Sequence, residues 1–238
     1  MAKIGRDFRL KRQMAPTFWN IKRKESQFVL QVKPGAHPKR RAYPLGIIMR
    51  DVLKIANTMH EAEIIVNAGK IKVDGIVRRD IHFGVGLMDT VELSPTGQAY
   101  RFVPKDSRLL VPVSIKDDEK LKKLIKITSK VVIRQGKIQY GFHDGKTLIS
   151  DQNMSVGDTC LVQLPESKIN EHLKFERGST VLVTSGENAG GIGKIEDIRD
   201  GIFSLPKHAL VSFVERSVEL PVEIVMTVGS QRPIIGVD

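Results

Sequence analysis

The chain holds a single cysteine, Cys160, so neither an internal disulfide nor a cysteine-clustered zinc site is available to it. Aromatic residues make up only 5% of the 238 positions and apolar residues 41%, a composition suited to several small cores rather than one large one. No apolar run approaches the ~20 residues a membrane span needs. The cationic N-terminus is not followed by the apolar stretch of a secretory signal. The six histidines, at positions 37, 60, 82, 143, 172 and 208, include no pair at metal-ligand spacing. No Ser/His/Asp or Cys/His combination is recognisable. These absences make the cytoplasm the most economical compartment, and they leave no metal site, membrane span or small-molecule substrate legible in the chain.

What the sequence has in excess is positive charge, unevenly placed. Of a net charge of +11, residues 1–41 carry +10, from twelve Lys/Arg against Asp7 and Glu25. The remaining 197 residues are close to neutral. A cationic arm on a neutral body is the footprint of a polyanionic partner. Pro16 and the run Lys33-Pro-Gly-Ala-His-Pro38 break the arm, and neither part has the length or period of a long helix. Phe8, Leu10, Met14, Phe18 and Trp19 lie among the cations. Solubilising tails lack such residues, whereas aromatics pack on a partner or stack on bases. The arm is expected to order only on its partner.

Local signals agree best over Leu45–Arg79. Leu45, Ile48, Met49, Val52, Leu53 and Ala56 recur at the spacing of one buried helix face, with Arg50 and Lys54 four apart on its flank. Thr58-Met-His-Glu61 has the form of a capping box that opens a second helix, and Gly69 stops it. Lys70-Ile-Lys-Val alternates as a half-buried strand, Asp74-Gly75 signals a tight hairpin, and Ile76-Val77 begins the return. Two short helices and a hairpin result, rimmed by Arg50, Lys54, Lys70, Lys72, Arg78 and Arg79. This order of residues resembles the helix-helix-hairpin RNA-binding module known as the S-four domain, which clasps structured RNA through phosphates.

The arm extends the resemblance. Leu10-Lys-Arg12, Ala15-Pro16 and Trp19, leading through the Pro-Gly-Pro spacer into that module, are similar to the N-terminal segment of the S-four-e family, small-subunit ribosomal protein four of the archaeal and eukaryotic type. That family has Leu-Lys-Arg followed by Ala-Ala-Pro, where this chain has Gln13-Met14-Ala15-Pro16. Met88-Asp89 before a strand and Thr96-Gly97 after it also fit the pattern.

Beyond Arg79 the pattern is mostly β. Strands are expected at Thr90–Leu93, Ala99–Val103 and Leu109–Ile115, the last on a sheet edge because of Pro112. Asp117–Lys126 reads as one short helix, its acids in the first turn and its lysines after them, as the helix dipole prefers. Lys130–Arg134 and Lys137–Tyr140 form a hairpin, and Val156–Leu164 is a strand in which Cys160 fills a buried gap. The last segment holds Thr184-Ser-Gly-Glu-Asn-Ala-Gly-Gly-Ile-Gly-Lys-Ile195. A phosphate-binding P-loop fails here, since Asn188 and Ile195 stand where Gly and Ser/Thr are required. With Gly186, Asn188, Gly190, Gly193 and Ile195, the stretch resembles a KOW motif, the strand–glycine loop–strand unit of small SH3-like barrels. Gly229–Asp238 reads as a loose terminus.

The fold expected is thus α+β and multidomain. Its parts are a basic extension at 1–41, the S-four-like module at 42–105, a central β-rich domain at 106–175 and a KOW-bearing SH3-like barrel at 176–238. The resemblance implies a structural constituent of the small ribosomal subunit, not an enzyme and without a cofactor, that binds ribosomal RNA beside neighbouring ribosomal proteins. Its contacts are expected at Lys3, Arg6, Arg9, Lys11, Arg12, Lys39, Arg40 and Arg41 in the arm and at the six cations of the module. An RNA-modifying enzyme or a transcription-elongation factor sharing one of these modules is the alternative.

Overall fold

The structure, a computed structural model, describes residues 9–22, 24–106, 108–203, 205–213 and 216–236. It is mostly β, with few helical turns, so the helical share is smaller than an α+β reading expects. Three five-stranded antiparallel sheets dominate.

The arm is not loose from Arg9 onward. Arg9–Lys11 pairs antiparallel with Phe28–Leu30. Leu10, Trp19, Ile21 and Val32 are buried in the same apolar cluster as Leu45, Ile48, Met49, Val66 and Phe102. Trp19 stacks on Tyr43 with ring centroids 6.1 Å apart. Its indole Nε1 donates to the Ala42 carbonyl at 2.9 Å, and the Tyr43 hydroxyl donates to the Phe18 carbonyl. Leu10, Phe18, Trp19, Ile21 and Val32 therefore complete the protein's own core, while Met14 is exposed and Phe8 lies outside the described residues; this corrects the expectation that the whole arm waits for a partner.

The first helical segment is shorter than its apolar spacing predicts. Leu45–Ile47 is α-helical and Ile48–Val52 continues as a π-turn. Lys54 then takes φ +55°, while the amides of Ile55 and Ala56 both donate to the Met49 carbonyl. Closure onto Met49 ends the helix and takes Lys54 off the flank it was expected to share with Arg50. The helix Met59–Asn67 has the capping box in full, with Thr58 and Glu61 each satisfying the other's backbone N–H. Gly69 ends it at φ +71°, and Asp74-Gly75 turns the hairpin at φ +52° and +76°.

The first sheet runs, in spatial order, Ile76–Val77, Ile71–Val73, Thr90–Leu93, Ala99–Lys105 and Arg108–Ile115. Pro112 does lie on its edge strand. The second runs Thr147–Ser150, Ile138–Phe142, Lys122–Val132, Thr159–Gln163 and Lys168–Leu173. The helix expected at Asp117–Lys126 is absent. Only Asp117–Glu119 makes a 3-10 turn, and Lys122 opens the longest strand of the chain. Leu124, Ile125 and Ile127 are all wholly buried there, and both flanks of the strand are paired. The charge order suits a helix, but Leu124 enters one apolar cluster and Ile125 and Ile127 another, and the period-two alternation of a strand sends neighbouring side chains to opposite faces. Cys160 is wholly buried beside Met154, and burial pushes its thiol up to about 12.

The third sheet runs Ser217–Pro221, His208–Ser212, Ile192–Arg199, Thr180–Val183 and Val225–Gly229. The expected loose terminus is anchored at Ile235, which is buried, and at Gly236, whose amide faces the Glu119 carboxylate, while residues 230–234 are exposed and Val237 and Asp238 lie outside the described residues.

Candidate nucleic-acid interface

The hairpin gathers the module's cations around one end of the helix Met59–Asn67. Lys70 follows Gly69 directly and is exposed. Arg79 lies back over that glycine, its Nε 3.3 Å from where a Cβ would stand. The amide of Arg78 donates to the Ile71 carbonyl, which closes the return of the hairpin. Arg78 stacks its guanidinium on Phe83, 4.4 Å from the ring centroid, and Lys72 faces Glu92 at 3.7 Å. Lys70 and Arg79 are thus presented to solvent, while Lys72 and Arg78 are partly engaged by the protein. Lys54 is exposed at its left-handed position. Arg50 is half-buried and chelates Asp51 through Nε and Nη2 at 3.0–3.2 Å. Its charge is offset locally, so the structure does not join it to the exposed set.

In the arm, Lys11 is exposed. Arg12 is half-buried and donates to the Ile21 carbonyl at 2.9 Å, closing the arm's own loop. Lys39, Arg40 and Arg41 form one 3-10 turn, with Arg40 and Arg41 exposed and Lys39 half-buried. Lys3 and Arg6 lie outside the described residues, as does the side chain of Arg9.

The glycine loop seats on protein. Gly186 and Gly190 take φ +92° and +89°, and the loop closes through Gly190 N–H to the Val183 carbonyl and Gly191 N–H to the Asn188 carbonyl. Asn188 Oδ1 accepts from Arg216 at 2.6 Å. A Cβ on Gly193 would stand 2.6 Å from the Ser212 carbonyl oxygen, and one on Gly190 2.7 Å from the Cα of Lys105. Gly190 therefore lets the third sheet approach the backbone of the first. Gly190→Ala is expected to destabilise the protein by about 1–3 kcal/mol through crowding and a disfavoured dihedral. A urea unfolding midpoint reads this, and an unchanged midpoint would refute the close approach.

The sequence reading missed three buried cations that join the sheets. Lys123 is wholly buried and its Nζ meets Asp74 at 2.6 Å, Asp89 at 2.5 Å and Asp144 at 3.2 Å. Asp89 also meets His37 Nε2 at 2.9 Å, so arm, first sheet and second sheet share one network. Burial alone would discharge Lys123, but Asp89, Asp74 and Asp144 outweigh it and hold the ammonium above the usual lysine range. Burial likewise opposes ionisation of Asp89, yet Lys123 and His37 hold its carboxyl well below the usual range. His37 is raised in turn: burial works against its charge, and Asp89 prevails. Lys126 donates to the carbonyls of Val222, Glu223 and Val225 at 2.5–3.1 Å, joining second and third sheets; burial lowers it to about 8. Arg101 bonds the Glu119 carboxylate and the carbonyls of Glu119 and Lys122 at 2.9–3.0 Å, and burial lowers it to about 10. The sequence signal for these was a cation beside apolar neighbours: Arg101 within Ala99-Tyr-Arg-Phe-Val103, and Lys123 and Lys126 flanking Leu124-Ile125.

Among the described residues, Lys123, Lys126 and Arg101 thus hold the sheets together inside, Arg12, Arg50, Lys72 and Arg78 are engaged at the surface, and Lys11, Arg40, Arg41, Lys54, Lys70 and Arg79 are presented outside. Over 236 residues, 96% of this chain and 98% of the relative, the sequence is 37% identical to the small ribosomal subunit protein eS4 of Pyrobaculum islandicum. The chain belongs to the ribosomal family S4e. The model of that family matches residues 96–169, and the RS4NT (NUC023) domain matches residues 5–40, most of the cationic arm. Another S4e relative, eS4 of Korarchaeum cryptofilum, is 38% identical over 99% of each chain. The crystal structure of the 30S ribosomal protein S4e from Thermoplasma acidophilum superposes with a TM-score of 0.68 at 34% identity, covering 80% of this chain and 96% of that one.

Proposed function

We propose that the protein is a structural constituent of the small ribosomal subunit, cytoplasmic and without catalytic activity, that docks on ribosomal RNA among other ribosomal proteins. The observation that carries this reading is end-to-end similarity to small-subunit proteins, in a chain whose arm and hairpin leave Lys11, Arg40, Arg41, Lys54, Lys70 and Arg79 exposed. Residues 1–41 act as the basic extension, 42–105 as an S-four-like helix-helix-hairpin module, 106–175 as the central β-rich domain and 176–238 as a KOW-bearing SH3-like barrel. Lys70 and Arg79, with Lys72 and Arg78 behind them, meet phosphates on one side. Arg40 and Arg41, with Lys3, Arg6, Arg9 and Lys11, meet them along the arm. Double-helical RNA hides its base edges in a deep, narrow groove, so the docking is read from shape and backbone.

Salt dependence tests this directly, because each neutralised phosphate releases counterions. The triple variant Lys70→Glu, Lys72→Glu, Arg79→Glu is expected to bind small-subunit ribosomal RNA more weakly. The slope of log affinity against log salt should become shallower by ~2–3, at about 0.7–0.9 per lost contact. A slope equal to that of the parent protein would remove the hairpin from the interface.

A further inference from the structure

A cleft of about 740 Å³ opens where the arm, the second sheet and the third sheet meet. Leu87, Phe142, Val156 and Pro206 line its walls, and Arg41 and Lys207 supply positive charge. Val156 is 58% exposed, an apolar side chain left uncovered inside a concavity. Lys126 also lines the cleft, but its three donors are taken by the carbonyls of Val222, Glu223 and Val225. Glu223 is the one carboxylate in the lining. Lys207 comes from the hairpin joining Ile192–Arg199 to His208–Ser212, where its ammonium meets Asp200 at 2.9 Å. At the tip of that hairpin Ile202, Phe203 and Leu205 are exposed, Phe203 completely.

We propose that this cleft seats one or two unpaired nucleotides of the bound RNA, with a base against the apolar walls and its phosphates on Arg41 and Lys207. The inference rests on the RNA-docking reading above and assigns a second, chemically different contact to it. The volume falls in the range of ~300–1,000 Å³ typical of small-ligand sites. It is far too small for a duplex, which presents a footprint of ~16 base pairs to a double-strand-binding domain. Unpaired bases, by contrast, are splayed out and covered by apolar and aromatic side chains while cations track the backbone. Arg41 shares its 3-10 turn with Lys39 and Arg40, so the backbone of a seated nucleotide continues onto the cationic arm. Phe203 offers a free ring to a neighbouring base, and base–aromatic stacking needs no particular sequence.

The test uses the full-length protein, a fluorescein-labelled octauridylate and a blunt 16-base-pair RNA duplex. Lys207→Glu reverses a charge of the cleft, and Val156→Glu places a carboxylate in its apolar wall at an exposed position; thermal unfolding checks that both variants fold. Each is expected to weaken octauridylate binding at least ten-fold while duplex binding stays within two-fold of the parent. The hairpin triple variant is expected to do the reverse. Octauridylate affinity unchanged in both cleft variants, with duplex binding intact, overturns the proposal and leaves the cleft to a protein neighbour. Loss of both RNAs from the parent protein itself would instead bring down the RNA-docking reading.

Discussion

Lys123→Met is expected to cost about 3–5 kcal/mol of unfolding free energy, because it leaves buried charges without their counter-ion. The side chain is inaccessible to solvent and touches Asp74, Asp89 and Asp144. Methionine fills a similar volume but leaves three carboxylates facing one another, with His37 the remaining partner of Asp89 and only the half-exposed Lys146, 3.7–3.8 Å away, left to Asp74 and Asp144. Single domains are stable by only ~5–15 kcal/mol, so the loss is a large fraction of the total. Its pH dependence follows from the carboxyl shifts. Asp89 and Asp144 are held below their ordinary range in the folded protein, burial opposing and Lys123 prevailing. Their stabilisation is therefore present above the unfolded value near 3.8 and is lost as pH falls through the folded values. His37 has the opposite sign: its contribution is full below 6.5 and fades as pH rises through its raised value. In the variant the unpaired carboxyls take up protons readily, so acidification narrows the gap between variant and parent. Urea unfolding at pH 7 and pH 5 measures both effects. A loss below about 1 kcal/mol at pH 7 would show that water reaches the network.

Trp19→Ala is expected to lower stability by about 3–5 kcal/mol, as for other buried aromatic truncations. The ring is only 4% exposed, stacks on Tyr43 and donates to the Ala42 carbonyl. At this chain length that is a fall of roughly 10 °C in Tm. Deleting residues 2–41 should go further, since Leu10, Ile21 and Val32 leave the same cluster and His37 leaves Asp89. The truncated chain is expected to melt without a sharp transition in circular dichroism. A cooperative transition at the parent's midpoint would restore the picture of a detachable tail.

Local geometry was legible in the sequence wherever one or two residues decide it. Thr58 and Glu61 cap their helix, Gly69 stops it, Asp74-Gly75 turns the hairpin and Pro112 sits on an edge strand. Each is a contest between near neighbours, and short-range chemistry settles it. What was not legible depends on distant partners. Asp117–Lys126 has the charge order of a helix, yet Lys123 finds its counter-ions 21 to 49 residues away, and tertiary burial overrides the local preference. Asp74 and Asp144 each precede a turn glycine and look like ordinary surface turn residues; nothing local marks them as facing inward. Phe18 and Trp19 were read as packing on a partner or stacking on bases, when the nearest unfilled apolar surface was the protein's own. The exposed hairpin cations were legible, and the internal use of Arg12 and the pairing of Arg50 with Asp51 were not.

The buried cations also impose a timetable on synthesis. Asp89 leaves the translating ribosome 34 residues before Lys123, and Asp74 leaves 49 residues before it. Until that lysine arrives, Asp74 must remain hydrated, Asp89 has only His37 as a charged partner, and the underside of the first sheet stays open. Lys126 then waits a further 99 residues for the last of its carbonyls, and Arg101 waits 135 for that of Gly236. A nascent chain of this protein therefore closes its joints from the N-terminal side toward the C-terminal side. The arm and the hairpin, which share one apolar cluster ending at Leu110, come together early, and the joints to the last sheet and to Gly236 close only near the end of synthesis.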